Sequence, residues 1–194
     1  MRGKRRTGRA GRPARAGRRL PGDPSEAELV ERMIRVDHAG EFGAVRIYDG
    51  QLAVLGASKA GKAIRAMHAT EARHLAAFER LVVERRVRPT ALSPLWSAAG
   101  FALGAATALL GARAAMAATV AVEEVIDDHY RGQIEALGRA EPAFRRMIER
   151  FRRDEIRHRD EAIAYGAKAA PGHGLLTVAI KAASRLAIAA STRL

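Results

Sequence analysis

Glu71-Ala72-Arg73-His74 and Glu155-Ile156-Arg157-His158 place Glu-x-x-His twice in one chain of 194 residues. Residues three apart share a helical face, so each copy can aim one carboxylate oxygen and one imidazole nitrogen at the same point. One copy is a weak signal, because Glu and His meet by chance on exposed helices. Each copy here also follows another glutamate at a matched interval: Glu41 lies 30 residues before Glu71, and Glu123 lies 32 before Glu155. The order is glutamate, hairpin, Glu-x-x-His, and then the same again.

The flanking residues put these positions on apolar stripes. Val45 and Tyr48 follow Glu41 at i+4 and i+7; Met67, Leu75 and Phe78 surround Glu71. Val120, Ile126 and Tyr130 flank Glu123, and Phe151 and Ala162 flank Glu155. A carboxylate facing a core is costly unless it is paired or bound to a metal. Singly, each glutamate could pair with an arginine, as Glu41 with Arg46, and each histidine could be a satisfied core residue. Jointly, the spacing favours a metal centre. Glu124 competes with Glu123, but it shares a side with Asp127 and Asp128, which read as solvated. Four glutamates carry four negative charges, which two divalent cations neutralise. Oxygen ligands with one imidazole per metal suit iron or manganese.

The rest of the chain reads as helix. Ser25 and Glu28 form a capping box after Pro24, opening a helix over about 25–55. Further helices are expected over about 58–86, through Glu123 to about 138, over 141–168 with Pro142 in its first turn, and over 175–191. Gly40, Gly43 and Gly50 weaken the first of them. No segment alternates with period two, so no sheet is expected. The fold class is all-α. One glutamate from each of two helices and Glu-x-x-His from each of two others is the pattern of ferritin-like dimetal carboxylate bundles.

Composition narrows the function. The chain has no cysteine, which excludes disulfides, a thiol nucleophile and cysteine-held clusters. Nine aromatic residues argue against a stacking RNA reader. The net charge of +13 is concentrated in residues 1–22, which hold nine Lys or Arg and no acid. Residues 1–24 therefore read as a basic, disordered tail and 25–194 as the folded domain. No apolar core marks the tail as a secretory signal. Nucleic acid is not an expected partner.

Several stretches carry a family resemblance: Arg35-Val36-Asp37-His38-Ala39-Gly40-Glu41-Phe42-Gly43-Ala44 with Arg46-Ile47-Tyr48, then Arg86-Val87-Arg88-Pro89-Thr90, Pro94-Leu95-Trp96 and Gly100-Phe101-Ala102-Leu103-Gly104. Thr119-Val120-Ala121-Val122-Glu123-Glu124, Phe151-Arg152-x-Asp154-Glu155 and the closing Ser191-x-Arg193-Leu194 complete the set. The chain resembles the demethoxyubiquinone hydroxylases of ubiquinone biosynthesis over residues 29–194. The resemblance implies a ferritin-like di-iron monooxygenase acting on a polyprenyl quinone precursor with O2. It implies two iron ions held by Glu41, Glu71, His74, Glu123, Glu155 and His158, with Glu71 and Glu155 bridging. It places His129 and Tyr130 near the reductant and substrate path, and makes NADH the electron donor. No nucleotide-binding glycine motif is present. Partner proteins of the same pathway, or a second copy of the chain, are expected with it.

A quinone of that kind lies in a bilayer. Residues 89–112 carry no charge, long enough to span by length alone. Pro94, the abundance of Gly and Ala, and the early return of Glu123 to the bundle favour a helix lying at the membrane interface instead. The last helix, with Leu175, Leu176, Val178, Ile180, Leu186 and Ile188, reads the same way. The expectation is a four-helix bundle with additional membrane-interface helices. A peripheral place on the cytoplasmic face of a bacterial inner membrane follows, with the matrix side of the mitochondrial inner membrane as the alternative. Two rivals stay open: a ferritin-like iron oxidase or store, and a non-enzymatic quinone-binding helical protein.

Overall fold

The computed structural model describes residues 22–194. The reading of residues 1–21 as a disordered tail lies outside them. Six helices and one 3-10 turn follow in order: α1 (Glu26–Leu55), α2 (Lys59–Glu84), α3 (Ser93–Leu109), α4 (Ala112–Leu137), α5 (Pro142–Ala164), the turn Ala167–Ala169, and α6 (His173–Ser191). No strand occurs among the described residues.

Local chemistry sets the helix ends. Ser25 accepts from the Glu28 amide at 3.1 Å, and Glu28 accepts from the Ser25 amide at 2.7 Å, so the capping box forms. Ser58 caps α2 through the Gly61 amide. Arg86 at φ 54° ends α2 two residues earlier than its pattern suggests. Gly166 at φ 96° likewise stops α5 at Ala164, short of 168, and starts the 3-10 turn. Gly111 at φ 104° divides the apolar stretch from the helix that carries Glu123, so the chain folds back there.

α1 and α4 form the middle of the molecule. α2 packs on α1 and α5 on α4, which makes the four-helix core; α3 lies chiefly on the other side of α1, and α6 on the other side of α4. The glycines of α1 and α3 explain the first of these contacts. A Cβ at Gly104 would stand 1.9 Å from the Ile47 carbonyl oxygen, and one at Gly50 would stand 2.1 Å from that of Phe101. The two backbones touch, so glycine is retained inside these helices against its poor propensity.

The outer layer is apolar and uncovered. α6 buries only Ile180 and Ser191, and Leu175 is 81% exposed. Leu95, Phe101 and Leu109 of α3 are exposed too. By length and composition α6 could cross a membrane. Trp96 Nε1 donates to Ser191 Oγ at 2.9 Å and ties the start of α3 to the end of α6.

Candidate metal centre

The six candidate ligands meet in the middle of the bundle. α1 supplies Glu41, α2 supplies Glu71 and His74, α4 supplies Glu123, and α5 supplies Glu155 and His158. All six are buried. They form two overlapping groups, Glu41, Glu71, His74 and Glu155, and Glu71, Glu123, Glu155 and His158. Within each group one ligand atom per residue lies within 4.8 Å of every other. Ligands on opposite sides of one cation, each about 2.1 Å from it, stand about as far apart. Glu71 and Glu155 belong to both groups, the places where bridging carboxylates would sit.

Most of the ligand atoms are turned towards common points and not towards a hydrogen-bond donor. His158 Nδ1 lies 2.8 Å from a Glu71 oxygen, and His74 Nδ1 lies 3.1 Å from a Glu155 oxygen. Neither contact is aligned as a hydrogen bond. Both Nδ1 atoms, both Glu155 oxygens, Glu41 Oε2 and Glu71 Oε1 are buried without a hydrogen bond. So many unsatisfied buried groups in one place call for an explanation, and bound cations supply one. The donor set fits two divalent ions.

Electrostatics follows from the crowding. Burial, and then repulsion from Glu71 and Glu155, holds the Glu41 carboxyl well above the usual range. Glu123 is raised for the same reasons. Burial would also raise Glu71, but contacts to His158 and His74 outweigh it and lower its pKa. Burial opposes protonation of the histidines, yet the carboxylates of Glu155 and Glu71 push His158 up to about 9. Glu155, Glu41 and Glu71 raise His74 as well. Without cations the cluster holds protons in their place.

The resemblance places Tyr130 at the site, but its contact there, and the supporting roles of Tyr48 and Asp154, escaped the sequence reading. Tyr48 donates to Glu123 Oε1 at 2.9 Å, and Tyr130 donates to Glu41 Oε1. Each tyrosine thus crosses to the glutamate of the other middle helix. Burial raises both phenols well above their ordinary value, so both stay neutral donors. Asp154 Oδ2 lies 3.1 Å from His74 Nε2, behind the ligand atom. A carboxylate there fixes an imidazole for metal binding. The second Glu-x-x-His has Asp154 directly before it, whereas Thr70 precedes the first.

Other expectations resolve by their partners. Glu123 faces the cluster, whereas Glu124 pairs with Lys181 of α6. Asp127 is not fully solvated: it accepts from Arg152 at 2.6 Å. Arg46 pairs with Asp49 at 2.5 Å and leaves Glu41 alone. His129 is half-buried beside Asp37, at 2.9 Å.

A cavity of about 20 Å³ opens beside the cluster, lined by Glu41, Glu71, Glu123, Glu155, Asp37, His129 and Tyr130 among others. A larger one, about 280 Å³, lies between α1, α3, α4 and α6. Both are walled by Val36, Gly40, Ala44, Ile126 and Ile188. The apolar cavity therefore adjoins the small one that the carboxylates line.

Fold and site define a ferritin-like helical bundle with a carboxylate–histidine core and an apolar approach. The chain belongs to the family described as ubiquinone biosynthesis protein COQ7, whose model matches residues 28–191. It is 57% identical over 176 residues to a 3-demethoxyubiquinol 3-hydroxylase of Rhodospirillum rubrum, covering 90% of this chain and 83% of that protein. It is 50% identical over 169 residues to the human NADPH-dependent 3-demethoxyubiquinone 3-hydroxylase, mitochondrial, covering 85% and 78%. A 5-demethoxyubiquinone hydroxylase, mitochondrial, of Saccharomyces cerevisiae is 38% identical over 187 residues, covering 88% and 80%.

Proposed function

We propose that this protein is a di-iron monooxygenase that hydroxylates the ring of a demethoxyubiquinone-type polyprenyl quinone. The observation that carries the reading is the nearness of two interlocked carboxylate–histidine groups to an apolar cavity, with a small cavity between them, in a chain whose relatives are named for that reaction. Glu41, Glu71, His74, Glu123, Glu155 and His158 would hold the metals, with Glu71 and Glu155 common to both ligand groups. When bound, the irons supply the redox chemistry that activates O2.

The chain's own residues do the rest. Ile47, Leu103, Val122 and Ile126 line an apolar space that takes the quinone ring and excludes water. Tyr48 and Tyr130 hold the two terminal glutamates by hydrogen bonds. His129 and Tyr130 stand where ring and cluster meet and serve the reaction there. The exposed faces of α3 and α6 rest on the membrane interface, which brings the mouth of the cavity to a substrate dissolved in lipid. The electrons come from a reduced nicotinamide. Several relatives are named as NADPH-dependent enzymes, so the reaction is run with NADPH and with NADH.

The test is anaerobic loading with ferrous iron, followed by reduced nicotinamide, O2 and a demethoxyubiquinone in detergent. Mass spectrometry of the quinone reads the result, with Glu71→Ala beside the wild type. The expected product gains one oxygen atom, only with iron and only in the wild type. Iron binding with an untouched quinone would overturn the substrate. Failure to bind iron would overturn the site.

A further inference from the structure

The two middle helices repeat one another, with equivalent positions 82 residues apart: Glu41 and Glu123, Tyr48 and Tyr130, Gln51 and Gln133. Each glutamine crosses to the opposite helix at one end of the cluster. Gln51 Nε2 donates to the Ala115 carbonyl at 3.1 Å and reaches Thr119 Oγ1 at 3.5 Å. Gln133 Nε2 donates to Asp37 Oδ1 at 2.7 Å. Asp37 thus stands where the other end has Thr119, and His129 stands where the other end has Ile47. One crossing is neutral, and the other carries a carboxylate and an imidazole.

Packing alone does not call for that pair, because the Gln51 end is buried with neutral partners. The Asp37 end is also incompletely satisfied. Asp37 is 3% exposed, yet its Oδ2 has no hydrogen bond; the amide oxygens of Gln51 and Gln133 both lack one, so the orphaned carboxylate oxygen is what sets this end apart. A buried carboxylate left in this state is costly. Asp37 and His129 both line the small cavity beside the cluster, and neither belongs to the two ligand groups.

The hydrogen bonds choose a tautomer for His129. Asp37 Oδ1 already accepts from Gln133, and His129 Nε2 lies 2.9 Å from the same oxygen. A carboxylate oxygen faces an N–H and not a lone pair, so the ring proton sits on Nε2. Gln133 Nε2 and His129 Nε2 converge on that one acceptor, which accounts for their 2.9 Å separation. Nδ1 is left with a bare lone pair and makes no hydrogen bond with any described residue. The small cavity, about 20 Å³, has room for an oxygen atom but not for a ring. A ring held in the larger cavity would send only a substituent into it.

We propose that Asp37 and Gln133 are positioning residues. They hold His129 as a hydrogen-bond acceptor for one hydroxyl of a quinol, and so decide which ring edge faces the carboxylate cluster. The nature of the ligand rests on the hydroxylase reading above, with the quinone in its reduced, quinol form, the form in the name of the Rhodospirillum rubrum relative.

The test uses the full chain loaded with zinc, which binds without turnover, in detergent and without O2. Binding is measured for a short-chain demethoxyubiquinol and for its two mono-O-methyl ethers. The wild type should bind the quinol about tenfold more tightly than one ether and about equally with the other. Asp37→Ala and Gln133→Leu should erase that difference while zinc content stays at two per chain. Nitrogen-15 NMR of His129 should show Nε2–H in the wild type and a mixture of tautomers in Asp37→Ala, which a merely structural role would not produce. If Asp37→Ala fails to fold, Gln133→Leu decides. An Nδ1–H tautomer in the wild type, equal binding of all three compounds, or variants that keep the preference would each overturn the proposal. If the wild type shows the Nε2–H tautomer but binds no quinol, the hydroxylase reading falls too.

Discussion

His158 titrates near 6.5 when free and is pushed up to about 9 in the fold without metal. The protonated imidazole is what the crowded carboxylates stabilise. The fold therefore holds its full share of that stability below pH 6.5 and loses it as pH rises towards 9. Glu41 and Glu123, also raised, act in the same direction. Glu71 is lowered, so its contribution is complete well below neutrality and does not change in this window. The Tm of chelator-treated protein is expected to fall between pH 6.5 and 9. Saturating zinc should abolish the fall, because cations then take the place of the protons. A metal-free Tm that rises across the window would contradict the cluster's electrostatics.

At the scale of the element, the contact between α1 and α3 is the most exacting. Gly104→Ala puts a methyl group where the Ile47 carbonyl oxygen stands 1.9 Å away. The helix gains about 1 kcal/mol of propensity from alanine, but backbone cannot move aside as a side chain does. We expect a net loss of about 1–3 kcal/mol, typical of overpacking, read as a lower Tm. Gly132 of α4 has nothing within 4 Å of its missing Cβ. Gly132→Ala should keep the propensity gain and raise the Tm, which makes it the control. Equal effects at the two sites would mean that the helices are less tightly apposed than described.

The whole molecule has two unlike sides. α2 and α5 carry many arginines, whereas the layer of α3 and α6 exposes Leu95, Phe101, Leu175, Val178 and Leu186. Exposed apolar area of this extent marks an interaction surface, and the cavity lies directly beneath it. Replacing Leu175, Val178 and Leu186 together with glutamate should abolish flotation with liposomes rich in anionic lipid. Two metals per chain should still bind, because these side chains do not touch the cluster. Flotation that survives would assign membrane contact elsewhere in the chain.

Much of the site was legible from spacing. Glu-x-x-His twice, each with a glutamate one hairpin earlier, selects six residues because a helix turns every 3.6 residues and brings three-apart positions to one face. Capping at Ser25 and the breaks at proline were legible because they are local. What stayed hidden depends on contacts across 75 residues or more. The Tyr48 bond to Glu123, the Tyr130 bond to Glu41 and the Asp154 support of His74 join helices that are distant in sequence. Gly50 and Gly104 read as defects in propensity until packing shows two backbones in contact. The apolar cavity has no sequence signal of its own, since it is the space left where four helices fail to close on one another. Sequence determined the helices and the ligand chemistry through short-range periodicity; tertiary structure alone decided the supporting hydrogen bonds and the way in, because both exist only between elements.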